Sequence, residues 1–347
     1  MSIFSKETYQ IKKPFSTPVF RGFLGFVFFL TCFLGFFQVL GQSNLGLYLP
    51  PGAVTGSNPD FDFRIHYLDH FVRQNGGVDC LLIGSSHIAN GIDPKVVESI
   101  YFQRTGQTIR CFNFGLPSLT MDTAGPLSDV LVNKYHPRLL ILEVSPRSFS
   151  RNFGDMTRSL SQNPWVRYRL GDFTLEGWAR DDVLAYRYYL SLKTWLYPYN
   201  HKALRRAMGS IDERGFAPEP GHRPAGDDEL SGLDIRFDTP FWKGFLQVLN
   251  LQNRTNLVII ESPVKEIYLD SYWKGGQVAY EQNFIATIEK EIFIRGIPFW
   301  RAQLEVSPIL ADEMWYDSRH VNDIGANIIS KWLGEKMAAS PVLFITK

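Results

Sequence analysis

From Gly22 to Leu40 the chain reads GFLGFVFFLTCFLGFFQVL, nineteen residues without a charge. A helix of about that length crosses the hydrocarbon core of a bilayer. The run is apolar on every side, which a surface helix of a soluble domain is not. Lys6, Lys12, Lys13 and Arg21 precede it against the single acid Glu7, and no charge follows until Asp60. The positive-inside rule then places residues 1–21 in the cytoplasm, an anchor at 22–41, and everything later outside. The competing reading is a cleaved signal peptide, with Val39 and Gly41 small enough for cleavage before Gln42. The run exceeds the usual length of such a core. Both readings export the rest of the chain. The expected location is the inner or plasma membrane, single-pass, with an extracytoplasmic (periplasmic) C-terminal domain.

The 347 residues leave room for one large exported domain, expected at 77–340 and joined to the anchor by a tether at 42–76. Residues 43–62 are rich in Gly, Pro, Asn and Ser, which favours a tether. Beyond it, apolar runs alternate with amphipathic segments. Strands are expected at Val78–Ile83, Ile109–Phe114, Arg138–Val144, Asn256–Ile260 and Ile297–Trp300. Asp93-Pro94 reads as an N-cap with proline at the first helical position, and Asp323 as the cap of a last helix. Strands of this kind between amphipathic helices predict a three-layer α/β/α fold on a parallel sheet of about five strands.

The alternation breaks at 150–236, which reads as a mainly helical insertion after strand three. It holds Trp165, Tyr168, Trp178, Tyr186, Tyr188, Tyr189, Trp195, Tyr197 and Tyr199. These aromatics suit either a subdomain core or a wall that contacts glycan. The later part, Gly209–Gly232, is Gly/Pro/charge-rich and reads as a mobile loop.

Net charge is +1, so no basic excess points to nucleic acid. Cys32, Cys80 and Cys111 form no CxxC and no zinc-ligand spacing, and neither metal nor cofactor is expected. Cys80 and Cys111 read as buried thiols that could pair if their strands are neighbours.

Three segments fall at C-terminal strand ends or before the last helix, where a doubly wound sheet collects its ligands. They are Gly84-Ser85-Ser86-His87, Asn113-Phe114-Gly115, and Asp317-Ser318-Arg319-His320. Together they offer a nucleophile, a close-approach backbone amide, and a base with its orienting carboxylate. The Asp317–His320 spacing lets one short turn bring the carboxylate to the imidazole, freeing the other ring nitrogen for a serine proton. Ser85 is the alternative nucleophile, and His87 a candidate substrate contact.

GSSH after the first strand, Asn-x-Gly after the second and DSRHVNDIGA before the last helix resemble the SGNH/GDSL hydrolase superfamily. The similarity is greatest to its membrane-anchored branch, such as alginate-type O-acetyltransferases and the D-alanine transfer protein of teichoic acids. The resemblance implies Ser86 as nucleophile, His320 as base then acid, and Asp317 as its orienter. It implies that the amides of Ser86 and Gly115 face the oxyanion. Glu143-Val144-Ser145-Pro146-Arg147 stands where the family carries Gly-x-Asn-Asp, so Arg147 or Asn113 would have to replace an asparagine donor. What is implied is an esterase or O-acyltransferase, most simply for acetyl, acting on an envelope or exported polysaccharide. A transferase of this kind would partner a multi-pass membrane acyltransferase. The missing third block leaves open a non-catalytic glycan-binding or scaffold module.

Overall fold

The structure is a computed structural model and describes residues 18–43, 51–150, 155–196, 207–223, 237, 240–273 and 275–344. Its first helix, α1, spans Pro18–Gln42, and over Pro18–Leu40 it is long and apolar enough to cross a membrane.

The expected tether gives way early to folded structure. Pro59–Asn75 forms helix α2, with Asn58 accepting the Phe61 N–H as N-cap and Gly76 ending it in the left-handed region. Phe61, Ile65, Leu68 and Phe71 are buried on one face. Four bonds onto the Asp62 carboxylate, from the backbone of Val54, Thr55 and Gly56 and from Thr55 Oγ1, fold residues 54–62 onto the domain. The Gly/Pro composition that suggested a tether thus reflects a tight turn there. Residues 44–50 lie outside the described part.

Strand β1 (Cys80–Gly84) is followed by a short helix α3 (Ser86–Gly91) and by α4 (Pro94–Thr105), whose cap is Asp93 as expected. Then come β2 (Cys111–Gly115), α5 (Met121–Tyr135) and β3 (Leu139–Val144). Helices α6 (Asp155–Ser161), α7 (Pro164–Arg169), α8 (Leu175–Asp182) and α9 (Leu184–Leu196), with residues 207–223, make the described part of the insertion. The frame resumes with α10 (Phe241–Leu249), β4 (Asn256–Glu261), α11 (Glu266–Tyr272), α12 (Gly276–Tyr280), α13 (Ala286–Ile294), β5 (Phe299–Arg301) and α14 (Asp323–Ala338). The last helix is capped by Asn322, not Asp323: Asn322 Oδ1 accepts the N–H groups of Ile324 and Gly325.

The five strands are all parallel in the order β2-β1-β3-β4-β5. Side chains alternate between two buried faces, as period two requires. Leu81, Ile83, Phe112, Phe114, Leu140 and Leu142 join a core with α2, α5 and α10. Cys80, Leu82, Cys111, Leu139, Ile141 and Val258 join a second core with α3, α4 and α14. Cys80 and Cys111 are register partners and both are free thiols.

Within the insertion, Trp165 is core and meets Phe61 edge-on. Tyr197, Tyr199 and residues 224–236 fall outside the described part. The segment 209–223, expected as a mobile loop, is tied down: Asn113 N–H donates to Arg214 O, Ala217 N–H to Ala89 O, and Arg223 N–H to Tyr316 O. It covers the outer edge of β2, an edge that would otherwise present unpaired backbone groups.

Candidate active site

β1 ends on Gly84, and the chain turns at once into α3. Ser85 caps that helix through its Oγ, which accepts the His87 N–H. Ser86 is therefore the first helical residue, raised at the sheet's C-terminal edge. A Cβ on Gly84 would lie 2.4 Å from Ile88 and 2.6 Å from Glu143, so only glycine allows the strand to pass there.

The segment carrying Asp317 and His320 is a closed turn. A bridge joins Trp315 to Val321, and the Tyr316 N–H donates to His320 O at 2.8 Å. Inside it, Asp317 Oδ1 accepts the N–H groups of Arg319 (2.9 Å) and His320 (2.7 Å). Asp317 Oδ2 lies 2.9 Å from His320 Nδ1, and His320 Nε2 lies 2.7 Å from Ser86 Oγ. A carboxylate can only accept, so Nδ1 carries the proton and Nε2 is left to accept from the serine hydroxyl. Residues 234 apart in sequence are thus brought to one chain of hydrogen bonds.

Burial pushes the His320 imidazole down to about 4, helped by neighbouring His87 and Arg319 and opposed by Asp317. The imidazole is then neutral, and able to accept a proton, throughout the neutral range. Burial also pushes the Asp317 carboxyl up, but its bonds to His320 outweigh that and hold it well below the usual carboxylate range.

Three of the expected residues do other work. Asn113 is fully buried; its Nδ2 donates to Ile88 O and Ile92 O, and its Oδ1 accepts the Gly115 N–H at 2.9 Å. Neither Asn113 nor the Gly115 amide is therefore an oxyanion donor: both are spent on seating α3 against β2. A Cβ on Gly115 would come within 2.3 Å of Ala89 N. Gly115→Ala is expected to cost about 1–3 kcal/mol of stability, read as a lowered thermal midpoint of the detergent-solubilised chain. Ser85 Oγ is 3.3 Å from His87 Nδ1, and its cap role ties it to α3 rather than to His320.

Arg147 does reach the site. It shares a void of about 50 Å³ with Ser85, Ser86, His87, Ser118 and Arg319. Arg147 bonds to Tyr268 OH, and Arg319 approaches the same oxygen at 3.3 Å, so one phenol holds two guanidinium groups beside the serine. None of the described residues lining the voids beside Ser86 comes from α6–α9.

Three participants escaped sequence reasoning. Glu143 is buried at the end of β3; its Oε2 accepts the Ser85 N–H at 2.7 Å and its Oε1 lies 3.1 Å from His87 Nδ1. Burial raises this carboxyl, but His87 and Ser85 bring it below its ordinary value. His87 is thereby fixed with its ring 5.3 Å from that of His320, and its Nε2 is buried with no hydrogen-bond partner among the described residues. Ser118 holds a positive φ of 62° in the wall of the same void. A non-glycine residue there is uncommon and marks a constrained backbone. Tyr268 is the third, and no motif announces it.

The proximity of His87 has a measurable consequence. The acid limb of kcat/KM is expected near pH 4, where His320 protonates. His87→Gln removes one of the groups that lower His320, so the limb moves to higher pH. A pH–rate profile of the two proteins checks this, and an unmoved limb would contradict it.

No protein-family model and no curated protein matches the chain in sequence. Among solved structures it is similar to a carbohydrate acetylesterase family member from Sinorhizobium meliloti, at 10% identity and a TM-score of 0.37, over 77% of this chain and 99% of that one. It is also similar to a gut microbial diltiazem-metabolizing enzyme, at 14% identity and a TM-score of 0.38, over 76% of this chain and 47% of that one. The chain spans about half the length of the second. Likeness at this level does not bear on the chemistry.

Proposed function

We propose that the chain is a membrane-anchored, extracytoplasmic, serine-dependent acyl-ester enzyme, an esterase or O-acyltransferase acting on an envelope or exported polysaccharide. The observation that carries this reading is the hydrogen-bonded line Ser86 Oγ–His320 Nε2 and His320 Nδ1–Asp317 Oδ2, at 2.7 and 2.9 Å. In that line His320 takes the serine proton as Ser86 attacks an acyl carbonyl. It returns the proton to the leaving oxygen, and an acyl-enzyme forms on Ser86. Water or a sugar hydroxyl, deprotonated by His320 in turn, then takes the acyl group.

Charge develops on the carbonyl oxygen during attack, and donors placed for it lower the barrier. Arg147 and Arg319 line the void beside Ser86, which supports their taking the place of the absent third-block asparagine. The size of that void, about 50 Å³, favours a small acyl group such as acetyl. The exported location rests on the charge asymmetry around α1, and a transferase would need a multi-pass membrane acyltransferase to bring the acyl donor across.

The test is turnover of p-nitrophenyl acetate and of acetylated polysaccharide by the purified chain. Release of nitrophenolate or acetate above the rate of a His320→Ala protein is expected. Equal rates would favour a non-catalytic glycan-binding or scaffold module.

A further inference from the structure

Helix α9 is built inside out for a helix that faces water. Its domain-facing side carries one apolar residue, Leu190, among three polar ones, Arg187, Ser191 and Thr194, all buried. Arg187 pairs with Asp69 at 3.3 Å, Ser191 Oγ accepts the Ala53 N–H at 2.9 Å, and Thr194 Oγ1 donates to Gly56 O at 2.9 Å. The outward side exposes Tyr189, Leu192 and Leu196, at 57, 59 and 73%. These positions follow i, i+3 and i+7, so they form one stripe. Exposed Lys193 lies beside them. On an ordinary surface helix the polar residues would be outside and the apolar stripe inside.

The position of α9 indicates what covers the stripe. α1 packs against α9, with the Phe37 ring 5.4 Å from that of Tyr188. Phe37 lies five residues before the end of α1, about 8 Å along its axis. The chain leaves α1 at Gln42 and is bonded to α9 by Pro51 and Ala53, so its reach between the two is at most about 30 Å. We propose that the Tyr189–Leu192–Leu196 stripe rests in the outer interface of the bilayer that α1 crosses, with lipid as its partner. An aromatic ring, leucines and a lysine on one face are the composition that such an interface takes up. The domain is then held against the membrane at two adjoining points and does not swing on a tether. This inference rests on reading α1 as a membrane span.

The test uses the full chain in vesicles of phosphatidylcholine and phosphatidylglycerol carrying doxyl-labelled lipid. An environment-sensitive fluorophore is placed on native Cys32, which is exposed on α1, while Cys80 and Cys111 are buried and protected. In a Cys32→Ser background the same fluorophore is placed at Leu192→Cys, Leu196→Cys or Phe293→Cys. Phe293 is 85% exposed on α13 and serves as the comparison. The expected result is a blue shift and doxyl quenching at Cys32, Leu192 and Leu196, with a water-like spectrum and no quenching at Phe293. Quenching at Cys32 without quenching at Leu192 and Leu196 overturns the proposal while leaving the anchor intact. Equal quenching at Phe293 overturns it as well, since adsorption would not be specific to this face. No quenching at Cys32 removes the anchor and the proposal together.

Discussion

Ser86→Ala should lower kcat/KM on p-nitrophenyl acetate by on the order of 10⁴–10⁶, while Ser85→Ala keeps most of the activity. The two serines are adjacent but differently employed. Ser86 Oγ has the His320 Nε2 at 2.7 Å, whereas Ser85 Oγ accepts the His87 N–H that starts α3. Ser86 caps nothing, so its loss should leave the thermal midpoint almost unchanged. Ser85→Ala removes an N-cap and should cost about 1 kcal/mol of stability. Initial rates and melting curves of the two variants, taken side by side, separate the roles. A Ser85→Ala protein as inactive as Ser86→Ala, yet folded, would show that the nucleophile has been misassigned.

Asp317→Asn should reduce kcat by about 10⁴ with KM little altered. The carboxylate accepts from His320 Nδ1 at 2.9 Å and so fixes the tautomer with Nε2 free. An amide in its place can present its own N–H₂ to Nδ1. The imidazole proton then moves to Nε2, which can no longer accept from Ser86. The turn itself should survive, because the amide oxygen of the substituted side chain can still accept the N–H groups of Arg319 and His320, which Asp317 Oδ1 accepts at 2.9 and 2.7 Å. Steady-state kinetics on acetyl esters checks this. A loss below about tenfold would mean that Asp317 only shapes the turn.

Much of the frame was legible because its signals are local. Buried parallel strands read as short continuous apolar runs, and all five lie within a residue or two of where those runs stand. The long apolar helix α1 and the Asp93-Pro94 cap are local as well. So is the pairing of Asp317 with His320, since one turn contains both. What escaped was non-local or conformational. His87 and Glu143 meet across 56 residues, and no spacing encodes that contact. Asn113 looked like a site residue because it ends a strand near the serine, but its amide is used to seat α3 on β2. The positive φ of Ser118 is a backbone property that a serine does not advertise. Residues 59–75 carried a visible helical pattern in Phe61, Ile65, Leu68 and Phe71, obscured by the Gly- and Pro-rich stretch before it. The segment 209–223 has no periodicity, because backbone bonds to Asn113, Ala89 and Tyr316 and isolated side-chain pairs such as Arg214 with Glu98 hold it, and neither repeats along the chain.

The central claim is that His320 and Asp317 make Ser86 a nucleophile. A fluorophosphonate reacts only with an activated serine, so peptide mass spectrometry after labelling reads the claim directly. The expected result is one adduct on Ser86 in the native chain and none in the His320→Ala protein, with both proteins folded. No adduct, an adduct on Ser85, or labelling that persists without His320 would contradict it.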